Sequence, residues 1–115
     1  MFRTTDNWMI YCDVYGTQSG FDIYMELPGV AIEDIDLEVT PLTVRIKGLK
    51  RRPCTGSTPL TMEIETGRFE REIPLPARVD TSSVSAKMRN GVLHITLSRK
   101  SPVVVSIPVQ AEGNK

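Results

Sequence analysis

Apolar and polar residues alternate along most of this chain. Residues 35–39 read Ile-Asp-Leu-Glu-Val and residues 42–47 read Leu-Thr-Val-Arg-Ile-Lys, joined by Thr40-Pro41. A strict period of two puts every second side chain on one face, so each run predicts a half-buried strand with one wet face. Segments 8–15 and 21–27 are aromatic and β-branched runs separated by Gly16-Thr17-Gln18-Ser19-Gly20, a hairpin loop by composition. Leu27-Pro28-Gly29-Val30 breaks the chain, and Ala31-Ile32-Glu33-Asp34 allows at most one helical turn. Residues 49–59 turn to Arg, Pro, Gly, Ser and Thr, the composition of a long exposed loop. Beyond it, 60–65 alternates again as Leu60, Met62 and Ile64 against Thr61, Glu63 and Glu65, a short amphipathic strand free to pair with another chain. Segment 69–75 follows, stopped by Pro74 and Pro76, then 84–88 with Val84, Ala86 and Met88 on one side. Asn90-Gly91 supplies the positive φ values of a tight turn into 92–97, so a change at Gly91 damages folding first. Short strands at this spacing, with no useful helical period, predict an all-β sandwich.

The tail carries a different signal. Ile107-Pro108-Val109 sets two branched aliphatics two positions apart around a proline, which disfavours helix at Ile107 and keeps the triplet extended. Both aliphatics then point the same way, as knobs for an apolar groove along a sheet edge. A last edge strand capped by proline is the competing reading.

Composition narrows the function. With 115 residues the chain is expected to be one domain, and its 14 basic and 14 acidic residues are interspersed, unlike a nucleic-acid footprint or a polybasic membrane patch. The densest basic run, 47–52, reads as a solvated loop edge. No stretch reaches the ~18 apolar residues of a membrane span, and the start MFRTTDNW lacks the apolar core of a signal peptide, so a cytoplasmic protein is expected. Cys12 and Cys54 fit no motif and read as reduced thiols. His94, the single histidine, falls on the polar face of 92–97 with no carboxylate close in sequence, and reads as a surface residue. There is no nucleophile elbow, phosphate loop or metal-ligand spacing, so no cofactor, no metal and no enzyme activity are expected.

Four phrases in register, MELPGV (25–30), GRFEREIPLP (67–76), the Asn90-Gly91-Val92-Leu93 turn and the Ile107-Pro108-Val109 tail, resemble the bacterial-type small heat-shock proteins over 6–110. The resemblance implies an immunoglobulin-like β-sandwich, the alpha-crystallin domain, that dimerises by exchanging a loop strand and assembles further through its tail. It implies an ATP-independent holdase, a chaperone of the stress response whose partners are unfolding client proteins and other copies of itself. The division it implies is a short arm over 1–7, the sandwich over 8–99 and the tail over 100–115. Residue by residue, Leu60, Met62 and Ile64 match the exchanged strand, pairing with the partner's 8–15 and so with Trp8, while Arg71 matches an arginine near the dimer interface. As a planar five-donor fork it could bridge carboxylates across chains; a solvated charge beside Glu70 and Glu72 is the alternative. Ile35, Leu37, Val39, Val84, Ala86 and Met88 match the two sides of the tail groove, though each set also reads as plain core. Family members usually carry a longer apolar arm than 1–7, so neither large oligomers nor strong client binding follows from the resemblance here, with Met1, Phe2, Trp8 and Met9 as a reduced arm. The competing function is a co-chaperone-like interaction module of the same sandwich class.

Overall fold

The computed structural model describes residues 8–53, 55–101 and 106–113. The expectations for Met1, Phe2 and Cys54 therefore lie outside the described residues. Seven strands form: β1 (Cys12–Gly16), β2 (Gly20–Glu26), β3 (Ile35–Val39), β4 (Thr43–Lys50), β5 (Gly67–Pro74), β6 (Val79–Arg89) and β7 (Val92–Arg99). They make two antiparallel sheets, ordered β1-β2-β7-β6 and β3-β4-β5. Among the described residues the one helical turn is a 3-10 turn at Ile32–Asp34.

The alternation in the sequence explains the core. Phe21, Ile23 and Met25 of β2 and Leu93, Ile95 and Leu97 of β7 are buried on the inner face of one sheet, opposite Val44, Ile46, Phe69 and Ile73 of the other. Each fully buried side chain of this size stabilises by ~1.5 to 3 kcal/mol relative to its exposed state. No buried side-chain polar atom among the described residues lacks a hydrogen-bond partner.

Two glycines are fixed by geometry. Asn90 and Gly91 hold φ of 51° and 76°, the positive pair that a two-residue turn between β6 and β7 needs. Gly48 has no room for a side chain: a Cβ there would lie 2.6 Å from the Phe69 ring and closer still to the Asp34 carbonyl.

The first strand begins later than the composition suggests. Residues 8–11 cross between the sheets instead of pairing along an edge: the Trp8 amide donates to the Arg68 carbonyl at 2.8 Å and the Glu26 amide to the Tyr11 carbonyl at 3.0 Å. Segment 60–65 forms no strand within this chain, only a single bridge at Met62, with Leu60 and Ile64 exposed. Its alternation is suited to a sheet, but no strand among the described residues runs beside it.

Replacement of Gly48 by alanine is expected to lower the unfolding midpoint. Forced overpacking costs ~1 to 3 kcal/mol, which for a domain of this size is roughly 4 to 20 °C by thermal melt. An unchanged midpoint would show that β4 and the Ile32–Asp34 turn are not in contact at Gly48.

Candidate functional site

The sandwich is open between β3 and β6, the outer strands of opposite sheets. Ile35 and Leu37 from β3, Ala86 and Met88 from β6, Leu93 from β7 and Ile32 from the 3-10 turn line an apolar cavity of about 180 Å³ there. Four of the six residues matched to a tail groove thus meet in one place, although β3 and β6 share no backbone pairing. Val39 and Val84 lie on the same strands and, like Ile35, Leu37 and Met88, pack against the core, but they do not line the cavity. Ile32 and Leu93 were missed. Ile32 carried a signal, an aliphatic in a polar turn, and it is exposed in the structure.

An ion pair positions that wall. Arg51, just past the end of β4, donates from Nε and Nη2 to both oxygens of Asp34 at 2.9 and 3.0 Å. The hydrogen bonds from Arg51 hold the Asp34 carboxyl below the ordinary carboxylate range, and the charge of Arg51 adds to this. This fork ties the turn that carries Ile32 to the sheet that carries Gly48 and Leu49. Part of the basic run 47–52 is thereby a structural brace.

Ile107 and Val109 are 77% and 96% exposed, so the tail triplet covers neither its own groove nor any other apolar surface.

At the opposite edge of the sandwich, Arg71 on β5 donates from Nη1 to the Ile10 carbonyl at 2.7 Å. Its described partner is thus a main-chain oxygen of its own chain. Trp8 is only 8% exposed and meets the Phe69 ring edge-to-face at 5.6 Å between centroids. The Lys50 ammonium lies 4.6 Å from the Trp8 ring centroid, a cation–π contact. Trp8, expected at a dimer interface, is therefore a core residue of its own chain, because residues 8–11 close the end of the sandwich. Trp8, Met9, Ile10, Glu70 and Arg71 border an open hollow there. Arg71 and Trp8 together fix how the chain enters β1, whose outer edge has no strand beside it among the described residues.

Cys12 sits at the start of that edge. Burial pushes its thiol above the usual range, against the opposing pull of Arg71, so it stays protonated near neutral pH. His94 does have a carboxylate: Asp22 Oδ1 on β2 accepts from its Nε2 at 2.9 Å, and the imidazole stacks on Tyr24 at 4.4 Å between centroids, 4° from parallel. No sequence signal could have paired residues this far apart along the chain.

Among the described residues no group of three or more histidine, cysteine, aspartate or glutamate side chains could hold a metal ion. No helix among them is long and apolar enough to cross a membrane.

The family model described as "Hsp20/alpha crystallin family" matches residues 13–110. The chain belongs to that family. It is 33% identical over 99 residues to Small heat shock protein C2 of Rickettsia felis, covering 84% of this chain and 64% of that protein. To the 22.0 kDa heat shock protein of Arabidopsis thaliana it is 36% identical over 95 residues, covering 80% of this chain and 49% of that protein. The chain thus spans between about half and two thirds of the length of these relatives. Among solved structures, Heat shock protein 16.0 from Schizosaccharomyces pombe superposes with a TM-score of 0.75 at 26% identity, covering 90% of this chain and all of that one. A small heat-shock protein from Xylella fastidiosa shares the fold, with a TM-score of 0.74 at 24% identity over 93% of this chain and 99% of that one. The two antiparallel sheets are the alpha-crystallin β-sandwich.

Changing Arg71 to methionine is expected to free residues 8–11. The lost charge-assisted bond is worth about 1 kcal/mol once its exposure is allowed for. Trp8 is the single tryptophan, so its emission should shift to the red and become easier to quench with acrylamide. Unchanged emission and quenching would show that Arg71 does not hold this segment.

Proposed function

We propose that the protein is an ATP-independent molecular chaperone, a holdase that binds unfolding proteins and keeps them from aggregating, acting in the cytoplasm without catalysing a reaction. Family membership supports a chaperone role. The observation that carries the reading is the pairing of an open apolar groove with two bare aliphatics on an extended tail.

Ile107 and Val109 would dock in the groove of another copy, between Ile35 and Leu37 on one side and Ala86 and Met88 on the other, with Val39 and Val84 further along the same two strands. Burying both contributes ~3 to 6 kcal/mol. Ordering each tail residue costs ~1 to 2 kcal/mol, so the net link is weak and exchanges readily. Pro108 limits that cost by holding the extended shape beforehand. When the tail leaves, the same groove is available to aliphatic segments of an unfolding protein. Binding such segments lowers the free concentration of the aggregating species by mass action, which needs no nucleotide.

Segment 60–65 would supply the second link. Paired with the outer edge of β1 in another copy, it would gain main-chain hydrogen bonds and bury Leu60, Met62 and Ile64. Trp8 and Arg71 would serve that interface by fixing the approach to β1.

The protein is expected to suppress light scattering by an unrelated enzyme heated past its melting point, near subunit stoichiometry and equally with or without ATP. Replacing Ile107 and Val109 together by serine should reduce any assembly larger than a dimer to dimers while circular dichroism stays unchanged. Client scattering that is the same with and without the protein contradicts the holdase. A monomer at every concentration points instead to an interaction module of the same sandwich class.

A further inference from the structure

The outer faces of the two sheets treat charge in opposite ways. On the three-stranded sheet, acids and bases alternate across strands and neutralise one another. Arg45 binds Glu70 and lies 4.0 Å from Glu38, and Lys47 lies 3.7 Å from Asp36. On the four-stranded sheet the signs are segregated by strand over the rows beyond the register shift of β6, with Asp80 of β6 lying on the other side of that shift and bound to Ser82. Asp13, Asp22 and Glu26 stand on β1 and β2, and Lys87 and Arg89 on β6. Among the described residues no ion pair joins Asp13, Glu26, Lys87 or Arg89 to another group, and the pair between His94 and Asp22 sits between the two halves.

The strand register makes the pattern specific. Across the sheet, Asp13 is level with Tyr24, Tyr24 with His94, and His94 with Lys87. One row further along, Tyr15 is level with Asp22, Asp22 with Thr96, and Thr96 with Ser85. All these side chains alternate with the buried positions of their strands or lie at its edge, and Tyr11, Tyr15 and Tyr24, the three tyrosines of the chain, are all exposed.

From this we infer that the outer face of the four-stranded sheet is a docking surface for the same face of a second copy, related by a two-fold axis that runs along the strands between β2 and β7. Such an axis keeps each row in place and exchanges β1 with β6 and β2 with β7. Asp13 of one copy then faces Lys87 of the other, Tyr24 faces His94, and Tyr15 faces Ser85, each twice by symmetry. A two-fold across the strands would set β1 against β1 and so Asp13 against like charge, which the pattern disfavours. Four strands span only about 14 Å. The face is therefore smaller than a standard stable interface, and the contact is weak and reversible. It uses the face of β1 and not its edge, and neither the tail nor segment 60–65, so restoration by mixing the two charge variants tests it separately from the holdase reading.

The test is a charge exchange in the full chain. Asp13→Lys alone and Lys87→Asp alone should each weaken self-association by about tenfold in sedimentation equilibrium, because two attractive pairs become two repulsive ones. Mixing the two variants should restore association, since each copy then presents the charges that the other lacks. A salt titration should weaken the original protein and the mixture alike. In the unmodified protein, the ring resonances of His94 and Tyr24 should move with concentration. The inference is overturned if the mixture associates no better than its components, or if those resonances are independent of concentration.

Discussion

Everything in this molecule depends on the fact that its two sheets do not close. A barrel would pair every strand, but here β1 and β6 end one sheet and β3 and β5 end the other. Each free edge presents backbone donors and acceptors that must find water or another chain, and apolar side chains behind it are covered on one side only. The chain deals with its edges unequally. Residues 8–11 lie across the β5 edge, held by the Trp8–Arg68 bond and by Arg71. Among the described residues the outer edge of β1 is left without a strand, and the gap between β3 and β6 becomes the apolar groove. In the proposed function, both openings are filled in trans by segments that are exposed in this chain, 60–65 and 107–109.

Keeping such openings without uncontrolled aggregation requires restraint elsewhere. The ladder of Asp36, Glu38, Arg45, Lys47 and Glu70 gives the outside of the three-stranded sheet a wet, neutralised surface that offers little to a passing apolar chain. Surface pairs of this kind add little stability; their effect is on what the face can bind. The Arg51–Asp34 fork acts differently, because it fixes the turn that forms one end of the groove.

Most of the sandwich was legible because a half-buried strand writes its burial into the sequence with a period of two, as in 21–27, 35–39 and 92–97. The same rule misled at two places. Residues 8–15 have the composition of one long strand, yet 8–11 cross between sheets, since Trp8 and Ile10 fill the end of the core. Segment 60–65 alternates cleanly but is not a strand in a single chain, because alternation reports suitability for a sheet and not the presence of a neighbour. In the groove, Ile35, Leu37, Ala86 and Met88 could be matched from the family pattern, while Leu93 looked like ordinary core and Ile32 belonged to a turn. His94 and Asp22 were invisible as a pair: they meet only because β2 and β7 are neighbours in the sheet, and sequence order does not show that.

The most direct measurement of the central claim, that the bare β1 edge is completed by 60–65 of another copy, is hydrogen–deuterium exchange as a function of protein concentration. Amides of 12–16 and of 60–65 should exchange slowly in concentrated solution and speed up together on dilution, while Ile23 and Ile95 in the sandwich interior stay protected throughout. If β1 and 60–65 exchange at the same rates at every concentration, or if β1 alone becomes protected, that edge is not completed by this segment.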